Sequence, residues 1–205
     1  MADDFWAKLH HIYSNEDWIT KPSLFAETAI DYLPVSGSIL ELGAGLGQDS
    51  AYFADHGHIV TSTDLNIDQL QKLAGEKFAV KGVDLREQLS FEDASFDVVY
   101  AHLSLHYFDR HTTESIFDEI YRVLKPNGIL AFFTNSTSDS EYNTGQKVEE
   151  DYFNTEGTLK RYLNVESAKQ FAHSFEPILA DNNGETYKDR AKGVHNLIRF
   201  IGKKD

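Results

Sequence analysis

Short apolar runs separated by amphipathic stretches make up most of this chain. The runs are rich in β-branched and aromatic residues, which favours strands, and they lie at 38–42, 58–63, 78–83, 96–101 and 129–134. Helical patterns lie between the strands. Parallel strands need a long crossover connection, so this alternation predicts βαβ units and a mainly parallel, doubly wound α/β sheet.

The clearest helical pattern precedes the fifth strand. Its apolar positions follow the i, i+1, i+4, i+7, i+8 spacing of one buried face: Ile116, Phe117, Ile120, Val123 and Leu124. Pro126 is predicted to end this helix, and Asn127-Gly128 to turn the chain into the strand. Further helices are predicted over 49–56 and from a cap at Asn66, with Gln69 completing a capping box.

The two ends of the chain are less regular. Helices are predicted over 5–13 and 22–32, and again over 165–173, with strands at 176–180 and 195–202 that are separated by a connection beginning at 182–184. Residues 135–160 are polar and are interpreted as a long excursion above the sheet. Such a loop is either a substrate lid or a plain surface insertion.

Composition narrows the classes of function. The net charge of −14 repels polyanions, so a nucleic-acid partner is not expected. The absence of cysteine excludes disulfides and thiolate metal sites. No apolar run reaches the ~20 residues of a membrane span, and the first residues do not resemble a secretory signal. A cytoplasmic protein without a membrane partner is therefore expected.

The most informative segment is ILELGAGLGQDSAYFADHG, residues 39–57. Gly43, Gly45 and Gly47 follow the first strand directly and lead into a helix, as a turn that lets backbone approach a ligand requires. In open α/β sheets, ligands bind outside the carboxyl ends of the strands, where the strand order reverses. The segment therefore predicts a ligand site at this edge of the sheet.

The spacing of these glycines disfavours phosphate ligands. A dinucleotide fingerprint, G-x-G-x-x-G or its alanine-ended variant, needs a small residue where this chain has Gln48. The loop also lacks the lysine and hydroxyl residue of a P-loop. With acidic Glu41 preceding the glycines, a nucleoside without phosphate fits better.

The motif E-L-G-A-G-L-G resembles the first motif of the class I S-adenosylmethionine-dependent methyltransferases. That resemblance implies a Rossmann-like, mainly parallel seven-stranded sheet with helices on both faces and S-adenosyl-L-methionine as cofactor. Segments 91–108 and 121–130 resemble the branch acting on small molecules, which includes ubiquinone-biosynthesis and tellurite-resistance-like enzymes. A small-molecule methyl acceptor is therefore expected.

The resemblance also implies roles for individual residues. Asp64, with Leu65, lies about 20 residues after Gly43, where the family binds the ribose hydroxyls. Asp84 and Leu85 resemble the pair that meets the adenine. The cofactor-binding set that we expect is Glu41, Gly43, Ala44, Gly45, Gly47, Asp64, Leu65, Asp84, Leu85, Ala101 and Trp18. In this set, the indole of Trp18 would face the cationic sulfonium.

Two histidines after the fourth strand are candidate bases. His102 is the first candidate for a base or a substrate contact and His106 the second, because an imidazole titrates near neutral pH. Alternatively, His102 only shapes the pocket and His106 packs in the loop. A thiolate or enolate acceptor would need no base, and no metal is expected.

We interpret residues 1–205 as one methyltransferase domain acting as a monomer or homodimer. Within it, we expect a helical lid (1–34), a cofactor-binding core (35–135) and a substrate-side excursion with closing strands (136–205). The alternatives are a non-catalytic S-adenosylmethionine-binding protein, a methyltransferase acting on protein or RNA, and a nicotinamide-dependent oxidoreductase. Fold resemblance alone does not separate these.

Overall fold

A computed structural model describes residues 21–188 and 193–205. The strands are β1 Ser38–Leu42, β2 Ile59–Asp64, β3 Ala79–Gly82, β4 Phe96–His102, β5 Leu124–Thr134, β6 Gln146–Glu149, β7 Tyr152–Thr155, β8 Thr158–Arg161, β9 Phe175–Glu185 and β10 His195–Lys204. The α-helices are α1 Leu24–Ala29, α2 Gln48–Asp55, α3 Asp68–Ala74, α4 Arg110–Val123 and α5 Val165–Phe171. The predicted helix over 5–13 and Trp18 lie outside the described residues.

Seven strands form the main sheet in the order β3-β2-β1-β4-β5-β10-β9. The first five are parallel, and β10 runs antiparallel to both of its neighbours. The strand order reverses between β1 and β4, which makes the carboxyl end of β1 the expected place for a ligand. The predicted fold class is confirmed.

Helices cover both faces of the sheet because side chains alternate along its buried strands. Leu40 and Leu42 of β1 pack with Ile116 and Ile120 of α4 on one face. Ile39 packs on the other face, in a cluster with Phe25, Phe53 and Leu70 from α1, α2 and α3. No helix in the described stretches is long and apolar enough to span a bilayer.

Three local predictions were wrong. The start of β5 is Leu124 rather than residue 129, but the predicted turn at Asn127-Gly128 does form within the strand: Asn127 has φ 65°, and the pairing with β4 shifts between Leu124 and Ile129. The predicted connection at 182–184 is part of β9, which pairs with β10 through Gly184 and Leu197. The capping box at Asn66 does not form: Ile67 is the cap residue, and the Asn66 side chain accepts only a long hydrogen bond from the amide of Asp68, at 3.4 Å.

The polar excursion is more ordered than the sequence predicts. Strands β6, β7 and β8 form a separate antiparallel sheet within residues 146–161. Arg161 attaches this sheet to the domain: its guanidinium donates to the carbonyl of Phe108 at 3.2 Å and pairs with Glu149. Its side chain is 2% exposed and packs over the rings of Tyr152 and Phe171.

Candidate functional site

A cavity of about 470 Å³ opens at the carboxyl ends of β1, β2 and β4. This volume lies within the range of small-molecule and cofactor sites. Its lining combines glycine-loop backbone, four carboxylates and an apolar side: Glu41, Gly43, Ala44, Gly45, Leu46, Gln48, Asp49, Asp64, Leu65, Val83, Asp84, Leu85, Arg86, His102, Leu103, Ser104, Tyr107, Phe108 and Leu159. The cavity thus lies at the edge of the sheet where the sequence predicts a ligand.

The glycine loop lines the cavity with backbone that side chains would obstruct. Gly43, Gly45 and Gly47 have φ of 69°, 57° and 88°, in the left-handed region that favours glycine. A Cβ on Gly43 would overlap the Cβ of Ser104, and one on Gly47 would lie 2.6 Å from Leu70 Cδ1. The loop therefore depends on glycine for both conformation and space.

The carboxylate of Asp64 is held in place at the end of β2. Its Oδ2 accepts a hydrogen bond from the amide of Gly45 at 2.9 Å, and its Oδ1 accepts one from the amide of Asn66 at 2.9 Å. Each carboxylate oxygen can accept more than one hydrogen bond. The side chain is thus oriented by the glycine loop on the wall of the cavity.

Asp84 is paired with a neighbouring arginine. The Arg86 guanidinium contacts both carboxylate oxygens, with Nε at 2.8 and 3.0 Å. These hydrogen bonds hold the pKa of Asp84 below its usual range. Arg86 is the one cationic side chain among the described residues that line the cavity, and Asp84 offsets its charge.

Asp49 is a cavity residue that the sequence analysis missed. It is 2% exposed and accepts hydrogen bonds from the Ser23 amide at 2.6 Å, the Ser23 hydroxyl at 2.7 Å and the Tyr100 hydroxyl at 2.8 Å. Ser23 is the N-cap of α1. An acidic residue in the first turn of α2 was the available signal, but its partners are 26 and 51 residues away in sequence.

The two candidate histidines lie in different environments. His102 lines the cavity and stacks on Phe133, with ring centroids 5.0 Å apart and planes 2° apart. Burial lowers the pKa of His102, and the charge of Asp49 opposes that shift. His106 is buried beside a separate, much smaller cavity, and burial lowers its pKa to about 3. Only His102 is therefore placed to meet a ligand in the large cavity.

Nine of the thirteen predicted site residues line the cavity: Glu41, Gly43, Ala44, Gly45, Asp64, Leu65, Asp84, Leu85 and His102. Gly47 does not line the cavity but packs against the side chains of Leu70 and Phe78. Ala101 is fully buried in β4. The excursion contributes Leu159, and the segment after β4 contributes Tyr107 and Phe108. In the sequence, the aromatic pair Tyr107-Phe108 directly after His106 was the available signal for this side of the cavity.

Fold and cavity together define a doubly wound α/β domain with a ligand-sized cavity at the strand-order reversal. Residues 40–132, a little under half of the chain, match the family described as "Methyltransferase domain". This match agrees with the resemblance to the class I S-adenosylmethionine-dependent methyltransferases that the first motif led us to expect.

Curated relatives match the same part of the chain. An uncharacterized methyltransferase-like protein of Schizosaccharomyces pombe is 36% identical over 129 residues, covering 60% of this chain and 45% of that protein. A malonyl-[acyl-carrier protein] O-methyltransferase of Enterobacter lignolyticus is 33% identical over 97 residues, covering 47% and 38%. The chain thus spans less than half the length of these relatives.

Solved structures share the fold over most of the chain. The 1,6-didemethyltoxoflavin-N1-methyltransferase of Burkholderia thailandensis superposes with a TM-score of 0.75 at 20% identity, covering 97% of this chain and 83% of that one. A Methanosarcina mazei protein described as a SAM-dependent methyltransferase gives 0.73 at 22% identity, covering 86% and 96%. At these identities the similarity concerns the fold.

Proposed function

We propose that this protein transfers the methyl group of S-adenosylmethionine to a small-molecule acceptor. The observation that carries the proposal is the convergence of the glycine loop, Asp64, Asp84 and His102 on one cavity of about 470 Å³. The match of residues 40–132 to the methyltransferase family supports the reaction class. The bound S-adenosylhomocysteine named for the Burkholderia thailandensis structure supports the choice of cofactor.

The residues present fit this cofactor. Asp64 would accept hydrogen bonds from the ribose hydroxyls, and Asp84, with Leu85, would meet the adenine. The buried Oε1 of Gln48 has no hydrogen-bond partner in the described structure, and Gln48 lines the cavity, so it would accept a bond from the methionyl ammonium. Carbonyl groups around Gly43 would add to that binding.

The charge of the cavity also favours this cofactor over a pyrophosphate-bearing coenzyme. Four carboxyl groups line the cavity: Asp49, Asp64, Asp84 and the buried Glu41. The described part of the cavity lining has one guanidinium, that of Arg86, which Asp84 already pairs. Such a lining attracts a sulfonium and an ammonium and repels phosphates. A nicotinamide-dependent oxidoreductase is therefore the weaker alternative.

The acceptor side of the cavity supports a small, largely apolar substrate. Tyr107, Phe108 and Leu159 form this side together with Leu103, and the excursion sheet supplies Leu159. The Burkholderia thailandensis structure is described with bound 1,6-didemethyltoxoflavin, a small-molecule acceptor. In this proposal, residues 35–135 hold the cofactor, and residues 136–205 complete the side of the cavity that faces the methyl acceptor.

The bound cofactor would supply a methyl group already activated by a sulfonium, so the protein's task is alignment and exclusion of water. His102 would accept the proton of a hydroxyl or N–H acceptor. Its lowered pKa keeps the imidazole neutral at neutral pH, and Asp49 would stabilise the imidazolium as it forms.

Replacement of Asp64 tests the cofactor site. Asp64→Ala should weaken S-adenosylhomocysteine binding by about 1–3 kcal/mol, because the hydrogen bonds to both ribose hydroxyls are lost. Isothermal titration calorimetry measures the change. Asp68→Ala is the matched control, since Asp68 is exposed in the first turn of α3 and does not line the cavity. Equal affinities for Asp64→Ala and the wild type would refute this role.

Replacement of His102 separates catalysis from cofactor binding. His102→Gln should lower methyl transfer about 100-fold or more while S-adenosylhomocysteine affinity stays near that of the wild type. His106→Gln is the comparison, because His106 faces only the smaller cavity. Transfer from a radiolabelled donor to the acceptor is the readout. Full activity in His102→Gln would show that this histidine only shapes the pocket.

A further inference from the structure

Glu41 is a buried acid at the centre of the sheet and on the wall of the cavity. It pairs in register with Ser62 of β2 and Tyr100 of β4, and it is 2% exposed. A single ionised carboxylate in such a position is costly unless it is paired with a cation. The groups around Glu41 therefore decide whether it carries a charge.

The groups that face Glu41 are acidic or neutral. From the elements packed against it, they are the carboxylates of Asp49 on α2 and Asp64 on β2, the hydroxyls of Ser50 and Ser62, and the phenol of Tyr100 on β4. Ser50 donates a hydrogen bond to Oε2 of Glu41 and contacts the Ser62 hydroxyl. No cationic side chain of the described residues acts on Glu41.

Burial raises the pKa of Glu41 well above its usual range, and the charges of Asp49 and Asp64 raise it further. The hydrogen bond from Ser50 opposes this shift without reversing it. A cation entering the cavity would add the one interaction that the site lacks, because an opposite charge stabilises a carboxylate.

We infer that Glu41 is the residue by which the cavity selects a nucleoside that carries an ammonium group: it is a neutral acid in the free protein and releases its proton to solvent when that group binds. The inference rests on the proposed function, which supplies a ligand with an ammonium group. The proton leaves as the ligand's charge arrives, so the buried region holds a neutralised pair rather than a lone cation.

This exchange makes affinity depend on pH in a defined direction. Binding that releases one proton strengthens by about tenfold per pH unit below the pKa of Glu41 in the free protein, and levels off above it. A nucleoside without positive charge leaves Glu41 protonated, so its affinity has no such dependence. The site would therefore favour the complete cofactor over its nucleoside fragment, increasingly so as pH rises.

Calorimetry in buffers of different ionisation enthalpy counts the released protons directly. The probes are S-adenosylhomocysteine, which carries the ammonium, and 5′-methylthioadenosine, which lacks it, at about pH 6.5, where an α-amino group keeps its proton. We expect about one proton released with S-adenosylhomocysteine and about none with 5′-methylthioadenosine. Equal counts for the two ligands would overturn the inference without any variant.

Two variants assign the proton to a residue. Glu41→Gln should bind S-adenosylhomocysteine with no proton released, whereas Glu87→Gln, an exposed carboxyl outside the cavity lining, should release as many as the wild type. An unchanged count in Glu41→Gln overturns the inference. Absence of any binding heat in the wild type refutes the proposed cofactor instead, so the two failures are distinct.

Discussion

Gly43→Ala is expected to destabilise the protein by about 2–4 kcal/mol and to abolish measurable S-adenosylhomocysteine binding. The left-handed backbone at residue 43 accounts for about 1 kcal/mol, because φ is 69° and a Cβ disfavours that region. Overlap of the new Cβ with Ser104 accounts for the remainder, about 1–3 kcal/mol. Urea unfolding and calorimetric titration measure the two effects.

Two further variants separate these causes. Gly57 also has positive φ, 86°, but nothing lies within 4 Å of a Cβ there, so Gly57→Ala should show only the backbone cost of about 1 kcal/mol. In the Gly43→Ala background, Ser104→Gly removes the overlapping atoms and should restore part of the stability. Equal losses in Gly43→Ala and Gly57→Ala would contradict the close approach at the loop.

Arg161→Met should cost about 3 kcal/mol of unfolding free energy, the second large effect that we expect. The guanidinium is 2% exposed and donates to the carbonyls of Phe108 and Glu150, at 3.2 and 3.3 Å, besides pairing with Glu149. Methionine fills most of the volume but leaves these acceptors without the charged donor. Chemical denaturation followed by circular dichroism gives the change.

The same small sheet offers a matched control. Lys147 pairs with Glu150 on the surface, where both side chains are more than half exposed, so Lys147→Met should change stability by less than about 1 kcal/mol. A similarly small loss in Arg161→Met would mean that the excursion sheet is attached to the domain mainly by its apolar side chains.

The elements with a long, regular spacing of apolar residues on one face could be predicted from the sequence. Helix α4 has its buried face at a regular spacing, and Asp109 before it accepts the capping hydrogen bond from Thr112. The parallel orientation of the first five strands follows from the βαβ units. Both features depend on residues that are close together in the chain.

The errors fall where tertiary contacts override local preference. Each strand of the excursion sheet has four residues, too few for alternation to stand out, although Tyr152 and Phe153 are buried there. In β9, the turn-favouring Asn182-Asn183-Gly184 continues a strand because pairing with β10 and packing of Gly184 against Phe133 hold it extended. Neither the pairing of β9 with β10 nor the packing of Gly184 against Phe133 can be read from the residues around position 184.

The candidate site divides in the same way. The glycines and Asp64 lie in one short segment with a recognisable spacing, so their position at the cavity could be predicted from the sequence. The support of Asp49 by Ser23 and Tyr100 joins distant parts of the chain and could not. The difference between His102 and His106 arises from a 3₁₀ turn at Leu105–Tyr107, which buries the second histidine away from the cavity.

The central claim is that the cavity binds a phosphate-free nucleoside that carries an ammonium group, and one titration tests it most directly. Calorimetry of the purified protein with S-adenosylhomocysteine and, separately, with NAD compares the two coenzyme classes under the same conditions. We predict saturable one-to-one binding of S-adenosylhomocysteine and no detectable binding of NAD. Binding of NAD without any heat from S-adenosylhomocysteine would contradict the account.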